Sequence, residues 1–332
     1  MSAPIRFGIL GAARITPAAL IYPAETVSGV ELSCVAARDR TRAQAFAVEH
    51  RIGEVRDDYA AVIAADVDAI YVPLPISEHA RWTIAALEAG HHVLCEKAIA
   101  CNAAEARRMR DAARAADRVL MEAFHYRYHP LFQRLLELLD AGAVGRVQRI
   151  EGEFCVPHIP AGDIRLDFAT GGGALMDLGT YPVHWLRHIA RREPRVVTAT
   201  AVQGPPRVDL AMTAELHFEA TEALPAIAGR IRCSMDPGEP MKAVLEVTGD
   251  AGTLTLINPL APQIGHELKL VNADGELREQ VDRTPSYTYQ LEAFVAAVRG
   301  AVPALTDGDD ALRQMQLLDA IYDAAGLPRR GT

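Results

Sequence analysis

The chain is short of most features that would place it outside the ordinary globular proteins. Five cysteines occur among 332 residues (Cys34, Cys95, Cys101, Cys155 and Cys233), and none forms a C-x-x-C pair. An odd, scattered set argues against a disulfide framework and against a zinc site, so no metal is expected. Buried free thiols in a reducing cytoplasm are the expected state. No apolar run approaches the length of a membrane span. The first residues enter a strand-like run, Ile5–Leu10, with none of the regions of a secretory signal. A cytoplasmic protein that does not engage membranes is therefore expected. Positive charge is scarce as well: 34 Lys and Arg stand against 43 Asp and Glu, a net charge of −9. That balance argues against a nucleic-acid binder, which carries a basic excess. It leaves room for a small anionic cofactor held by local backbone groups.

What is present is a chain able to bury a core, 50% hydrophobic and long enough for two domains. In the first third, strand-like runs (Ile5–Leu10, Glu31–Ala37, Ala69–Val72, His92–Cys95, Val119–Glu122) alternate with helical ones (from Ala18, then Thr41–His50, Glu78–Ala89, Ala103–Ala116). That alternation predicts a parallel sheet with helices on both faces. After residue 122 a helix, Pro130–Leu139, leads into a series of β-type runs. These are Arg146–Phe154, Arg195–Val202, Ala211–Phe218, Ala226–Ser234, Lys242–Thr248, Thr253–Ile257 and Glu267–Val271. Gly and Pro punctuate them, as at Gly204-Pro205-Pro206 and Pro237-Gly238, which predicts a mostly antiparallel sheet. Two helical stretches, Tyr287–Arg299 and Asp309–Ala325, close the chain. The expected fold is α/β followed by α+β, divided at 1–122 and 123–332, with the last helices packing back on the first domain.

Two further absences sharpen the first domain. The turn after the first strand, Gly8-Ile-Leu-Gly11-Ala12-Ala13-Arg14-Ile15-Thr16, is a G-x-G-x-x-G loop lacking its second and third glycines. In a dinucleotide fold this turn seats a pyrophosphate on the next helix N-terminus. The second strand ends in Ala37 and Arg38, where a carboxylate for an NAD ribose is usual. Arginine pairs well with a 2′-phosphate, which favours NADP over NAD. Asp39, one residue on, is the competing ribose ligand, and an Arg38–Asp39 pair in a surface turn is the plain alternative. After the third strand, Tyr71-Val-Pro73-Leu74-Pro75 stiffens a loop at the sheet edge where α/β sheets bind ligands, and His79 opens the next helix, either as a ligand contact or as a structural helix-start residue.

The fourth strand runs straight into Glu96-Lys97-Ala98. A lysine held at a sheet edge is a useful acid or base, and a solvent-facing ion pair is the alternative. Residues 171–184 read Gly-Gly-Gly-Ala-Leu-Met-Asp-Leu-Gly-Thr-Tyr-Pro-Val-His. On a helix Asp177, Tyr181 and His184 share one face, either as a proton-handling surface or as a solvated polar stripe.

With GILGAARI, YVPLPISEHA, AGHHVLCEKA, EAFHYRYHP and GGGALMDLGTYPVH, the sequence resembles the Gfo/Idh/MocA oxidoreductase family over essentially its whole length. The resemblance implies an N-terminal NAD(P)-binding Rossmann domain and a C-terminal domain on a large, mostly antiparallel open sheet. It implies cofactor contacts at Gly11, Ala12, Ala13, Arg14, Ile15, Arg38, Pro73, Leu74, His79 and Glu96. It implies hydride transfer between nicotinamide and a carbinol or carbonyl carbon of a sugar, polyol or cyclic diol. Lys97 matches the lysine of the family's E-K-P motif, and Asp177 the aspartate of its glycine-rich motif. Tyr181 stands where many members have histidine, whereas the branch of glucose–fructose oxidoreductase, dihydrodiol dehydrogenase and D-xylose dehydrogenase, which the sequence resembles, places tyrosine there. Arg165 looks like that branch's arginine before the glycines, and His125, His184 and Tyr287 join it as candidate substrate contacts. Ala98 replaces the motif proline, and His125 and His184 replace an apolar residue and an asparagine. The expected proton carrier is Tyr181, with Lys97 favouring its ionised form by charge proximity; Lys97 as the donor is the reverse assignment. Asp177 is expected to hold Lys97 or a substrate hydroxyl. The open sheet, expected to expose an apolar face, implies a homodimer or tetramer. The rival is a nucleotide-bound sensor that keeps the fold without the chemistry.

Overall fold

A computed structural model describes residues 3–332 apart from His158, Pro205 and Ala223. The turn expected at Pro205 thus lies partly outside the described residues. The chain divides into two compact units, one running to Arg127 and taking in Tyr287–Leu312, the other comprising Tyr128–Ser286 and Arg313–Thr332.

The first unit is built on β1 (Ile5–Leu10), β2 (Val30–Ala36), β3 (Glu54–Val55), β4 (Ala69–Val72), β5 (His92–Cys95) and β6 (Leu120–Glu122). All pairs are parallel, in the order β3-β2-β1-β4-β5-β6. Its helices are α1 (Tyr22–Thr26), α2 (Arg40–His50), α3 (Tyr59–Ile63), α4 (Ile76–Glu88) and α5 (Ala103–Ala116). Every residue of β4 is buried, the signature of a parallel strand covered on both faces. The strand order reverses between β1 and β4, which opens a crevice beyond their carboxyl ends. β3 and α3 escape a reading by periodicity because two and five residues are too few to show one.

The second unit begins with α6 (Pro130–Asp140) and β7 (Val147–Cys155), then α7 (Thr180–Ala190). Strands β8 (Arg195–Gly204), β9 (Val208–Phe218), β10 (Ile227–Ser234), β11 (Lys242–Gly249), β12 (Gly252–Ile257), β13 (Glu267–Asn272) and β14 (Gly275–Glu279) follow. The eight strands are ordered β14-β13-β12-β11-β7-β10-β9-β8, antiparallel except for the β7–β10 pair. The last two helices are α8 (Ser286–Val298) and α9 (Gly308–Ala324). In the first unit Phe294 of α8 meets Phe7 of β1 with ring centroids 5.5 Å apart.

Helix α7 lies on one face of the large sheet where glycine permits close approach. A Cβ on Gly152 would sit 2.7 Å from that of Pro182, and one on Gly229 would sit 3.1 Å from Leu186. The other face corrects an expectation. It carries Arg149 paired with Glu151, Glu153 with Arg232 and Lys242, and Arg230 with Glu215. Ion-paired side chains share that face with the exposed Val202, Ile257 and Val271, so it is a mixed surface rather than an apolar one. Among the described residues no helix is long and apolar enough to cross a membrane.

Both glycine-rich turns open into helices that begin unexpectedly. Pro17–Ile21 and Leu175–Gly179 are π-helical, each running into an α-helix, and Pro23 and Pro182 stand near the start of those α-helices. A helical proline has no N–H for the carbonyl four residues back and crowds that carbonyl. A widened turn stands just before each of these prolines.

Candidate active site

The first glycine turn is shaped as a dinucleotide loop requires. Gly11 follows β1 with φ +103°, and its N–H donates to Ala36 O at 2.7 Å. A Cβ there would be strained and would lie 3.1 Å from Leu74, at the end of β4. Gly11 and Leu74 thus flank the crevice at the strand-order reversal. Ala12 is buried, while Arg14 and Ile15 are exposed at the turn. Asp39 is committed elsewhere: its Oδ1 accepts from the N–H of Thr41 (2.9 Å) and Arg42 (3.2 Å), capping α2. Arg38 is exposed beside it. Sequence reasoning missed Arg42, whose Nη2 donates to Ala12 O at 2.6 Å and ties α2 to the turn. It also missed Tyr59, whose hydroxyl lies 3.7 Å from the place of a Gly11 Cβ. The signal for Arg42 was the alternation of Arg38, Arg40 and Arg42 around a capping aspartate. These residues fit a nicotinamide dinucleotide: a left-handed glycine, the space a Cβ would fill, and local cationic side chains.

Past β5 the backbone is pinned residue by residue. Glu96 N donates to Val72 O at 3.1 Å, and the Glu96 carboxylate accepts the Tyr71 hydroxyl at 2.7 Å. Burial and the neighbouring Glu96 push the Tyr71 phenol well up, so it stays a donor. Ile99 N donates to the Glu122 carboxylate at 2.9 Å, and Cys101 N to Glu105 at 3.0 Å. Asn102 caps α5 through Glu105 N at 3.0 Å. From Val93 to Asn102 every residue is buried except Lys97. The fold therefore presents a lysine from an otherwise immobilised segment at the sheet's carboxyl edge. Ala98, in the proline position of the motif, is fully buried, and the Lys97–Ala98 peptide is cis.

His79, on α4, is buried with both ring nitrogens on carbonyls: Nδ1 lies 2.9 Å from Ala98 O and Nε2 2.7 Å from Leu74 O. Burial pushes its imidazole below the usual range, so the ring is neutral. His79 thus reaches Leu74 and Ala98, and Glu96 reaches Tyr71. His125 and Tyr287 are brought together, their rings 4.1 Å apart.

In the second unit the triple glycine is explained by the unit's own packing. Gly171 ends a short 3-10 turn with φ +85°. A Cβ on Gly172 would lie 2.5 Å from Arg165 O and 2.7 Å from Asp167 O. A Cβ on Gly173 would strike Asp209 and Arg330. Asp177 lies in the π turn, where Arg165 Nε donates to its Oδ2 at 2.9 Å; Arg165 also holds Asp163 at 3.0 Å. Both carboxylates keep that guanidinium firmly charged. Tyr181 is buried, its ring edge-on to Phe154 with centroids 5.7 Å apart. His184 is fully buried, with Nε2 3.0 Å from His188 Nε2. A solvated polar stripe is therefore ruled out for Tyr181 and His184: both belong to the interior.

Known proteins share this architecture. Residues 5–124 match an oxidoreductase family with an NAD-binding Rossmann fold, and residues 132–255 match the GFO/IDH/MocA C-terminal domain. The protein belongs to the GFO/IDH/MocA family and is a nicotinamide-dependent oxidoreductase. An enzyme of Haloferax volcanii named D-xylose 1-dehydrogenase (NADP(+)) 2 is 34% identical over 322 residues, covering 96% of this chain and 97% of its own. A dTDP-3,4-didehydro-2,6-dideoxy-alpha-D-glucose 3-reductase of Streptomyces violaceoruber is 33% identical over 334 residues, covering 97% of this chain and 96% of its own. A 3-ketoreductase from Actinomadura kijaniata, solved with NADP and TDP-benzene, has a TM-score of 0.88 at 29% identity, covering 97% of this chain and 98% of that one.

Proposed function

We propose that the protein exchanges hydride between NADP and a carbinol or carbonyl carbon of a sugar, polyol or cyclic diol. The observation that carries the reading is Lys97, the one residue left accessible in the buried stretch from Val93 to Asn102, in the same unit as the dinucleotide turn. When bound, the nicotinamide supplies the redox chemistry at its C4. The protein's own residues must position the substrate oxygen and move its proton. Tyr181 takes that proton in the oxidation direction, and Lys97 orients the substrate oxygen and stabilises negative charge on it. Asp177, anchored by Arg165, offers its carboxylate to a substrate hydroxyl. Arg165, His125, Tyr287 and His184 shape the substrate's surroundings, His184 from within the core.

Preference for NADP rests on Arg38. Asp39 turns its Oδ1 to the cap of α2, and the exposed guanidinium of Arg38 stands at the strand end where an NAD site carries its ribose carboxylate. The relatives agree in kind: one is named for NADP(+) and another was solved with it. The sugar or polyol class follows the named xylose dehydrogenase and the deoxyglucose reductase. A homodimer would form through this outer face of the large sheet, burying the exposed Val202, Ile257 and Val271 among side chains whose charges are already paired within each chain. A cytoplasmic location suits the five buried free thiols.

The test is reduction of NADP⁺ and NAD⁺ against a panel of aldoses, inositols and trans-dihydrodiols. Turnover by the wild type and its loss in Lys97→Met, with folding intact, supports the reading. Full turnover in that variant overturns the lysine's role. Cofactor that binds but is reduced by no member of the panel favours the sensor.

A further inference from the structure

We infer that His79 is a positioning residue that fixes the lysine-bearing segment by donating its Nδ1–H to the carbonyl of Ala98; the inference rests on Lys97 acting in the reaction proposed above. His79 bridges two loops at the sheet's carboxyl edge, with Leu74 O on one side and Ala98 O on the other. A neutral imidazole carries one N–H and cannot donate to both. The two carbonyls differ in what else can serve them. Ala98 is fully buried, and its contact with the ring is buried as well. Leu74 is only partly buried, so water can reach its side of the contact. A buried carbonyl without a donor is the costlier loss, so the proton belongs on Nδ1.

The consequence falls on Lys97. Its neighbours are tied down at Glu96 by Tyr71 and at Ile99 by Glu122. Between those anchors the donor from His79 meets the carbonyl of Ala98, the residue next to the lysine. Glu122 holds the Ile99 N–H and His79 the Ala98 C=O of one peptide group, so without His79 that group keeps one anchor of two, the chain back to Lys97 loosens, and the ammonium loses its aim. His79 touches none of the reacting atoms in this account and carries no proton for the substrate.

Asparagine and glutamine separate the two contacts, because the Asn amide nitrogen overlays Nδ1 and the Gln amide nitrogen overlays Nε2. His79→Asn keeps the donor to Ala98, His79→Gln offers one only to Leu74, and His79→Leu offers none. In the protein without cofactor, hydrogen exchange over residues 95–101 should stay near wild type in His79→Asn and accelerate about tenfold or more in the other two, as loss of a buried hydrogen bond predicts. In turnover with saturating NADP⁺, kcat should fall about tenfold or more in His79→Gln and His79→Leu but not in His79→Asn, with the shape of the pH profile unchanged in all three. Equal behaviour of the Asn and Gln variants, retention in Gln rather than Asn, or a changed pH profile overturns the assignment. If the wild type turns over no member of the substrate panel, the proposed reaction fails while the exchange measurements still judge His79.

Discussion

Arg330, near the end of the chain, should be among the most costly residues to remove. Its side chain and that of Asp209 are both fully buried and ion-paired. The guanidinium also donates to Gly172 O at 2.6 Å and Pro328 O at 2.9 Å, and it lies over the rings of Tyr322 and Phe168. Asp209 in turn accepts Leu175 N at 2.7 Å and the Tyr322 hydroxyl at 3.0 Å. Arg330→Met removes the cation and leaves Asp209 buried with only neutral donors. Breaking one side of such a pair costs about 3–5 kcal/mol. For a domain in this size range that corresponds to roughly 6–20 °C in Tm. Gly172 and Leu175 flank the start of the π turn that leads to Asp177 and Tyr181, so kcat should fall below the wild-type value even where the variant is fully folded. The assay is urea denaturation of Arg330→Met, Asp209→Asn and the double variant. The double should cost less than the sum of the singles, with a coupling of about 1–3 kcal/mol. A single variant costing less than about 1 kcal/mol, or strict additivity, would refute the claim that the buried pair holds the turn.

Gly172→Ala places a methyl against two backbone oxygens that cannot withdraw; we expect a loss of about 3 kcal/mol or more, read by thermal unfolding, and a neutral result would refute the packing account of the glycines. Arg38→Ser should weaken NADP⁺ about 10- to 100-fold, the worth of a charge-assisted hydrogen bond, and leave NAD⁺ unchanged; cofactor titration of the two decides it. His129 gives the pH prediction. Its Nδ1 accepts Leu131 N at 3.0 Å as the cap of α6, and its Nε2 donates to Thr284 O at 3.0 Å. Burial pushes this imidazole below its usual range, so the unfolded chain binds the proton more readily than the folded one. Stability is therefore full above the ordinary histidine pKa of about 6.5 and falls as pH drops below it, by up to about 1.4 kcal/mol per pH unit for this one group. His129→Asn caps without titrating, and urea midpoints between neutral and mildly acid pH should flatten by about one proton's slope. An unchanged slope would sink the assignment.

The sequence made the strands of the first unit legible because each is a short apolar run bounded by turn residues. Ile5–Leu10, Ala69–Val72 and His92–Cys95 stand where their hydrophobicity places them. It could not show that β7 and β10 pair in parallel, since pairing direction leaves no mark in the alternation of either strand. It could not show the charged sheet face as paired either. Glu151, Glu153, Arg230, Arg232 and Lys242 read as ordinary alternating polar positions, and only the register across strands reveals that their charges meet. At the candidate site, Lys97 was visible from its place after an apolar strand. His79 was visible as a residue but not as a donor, because its two carbonyl partners come from different loops.

The π turns point to a more general limit. A helical stripe of Asp177, Tyr181 and His184 assumes a constant 3.6-residue turn. Leu175–Gly179 breaks that assumption, so Asp177 sits on a wider turn than the other two, and Arg165 holds it separately. The cue was in the sequence all along, at Pro182, yet a proline alone says only that an α-helix is disturbed and not how. The same cue recurs at Pro23, after the cofactor turn, with the same result. In both places a glycine-rich entry, a π turn and a proline follow one another. A widened turn moves the glycine end relative to the rest of the helix, an adjustment that a uniform α-helix would not allow. Replacing Pro182 with alanine tests this: if crowding at Leu178 O is what widens the turn, the segment should relax toward α-geometry, shifting Asp177 away from Arg165. Retention of the π turn in a structure of that variant would place its cause in the packing around Leu175 and Gly179 instead.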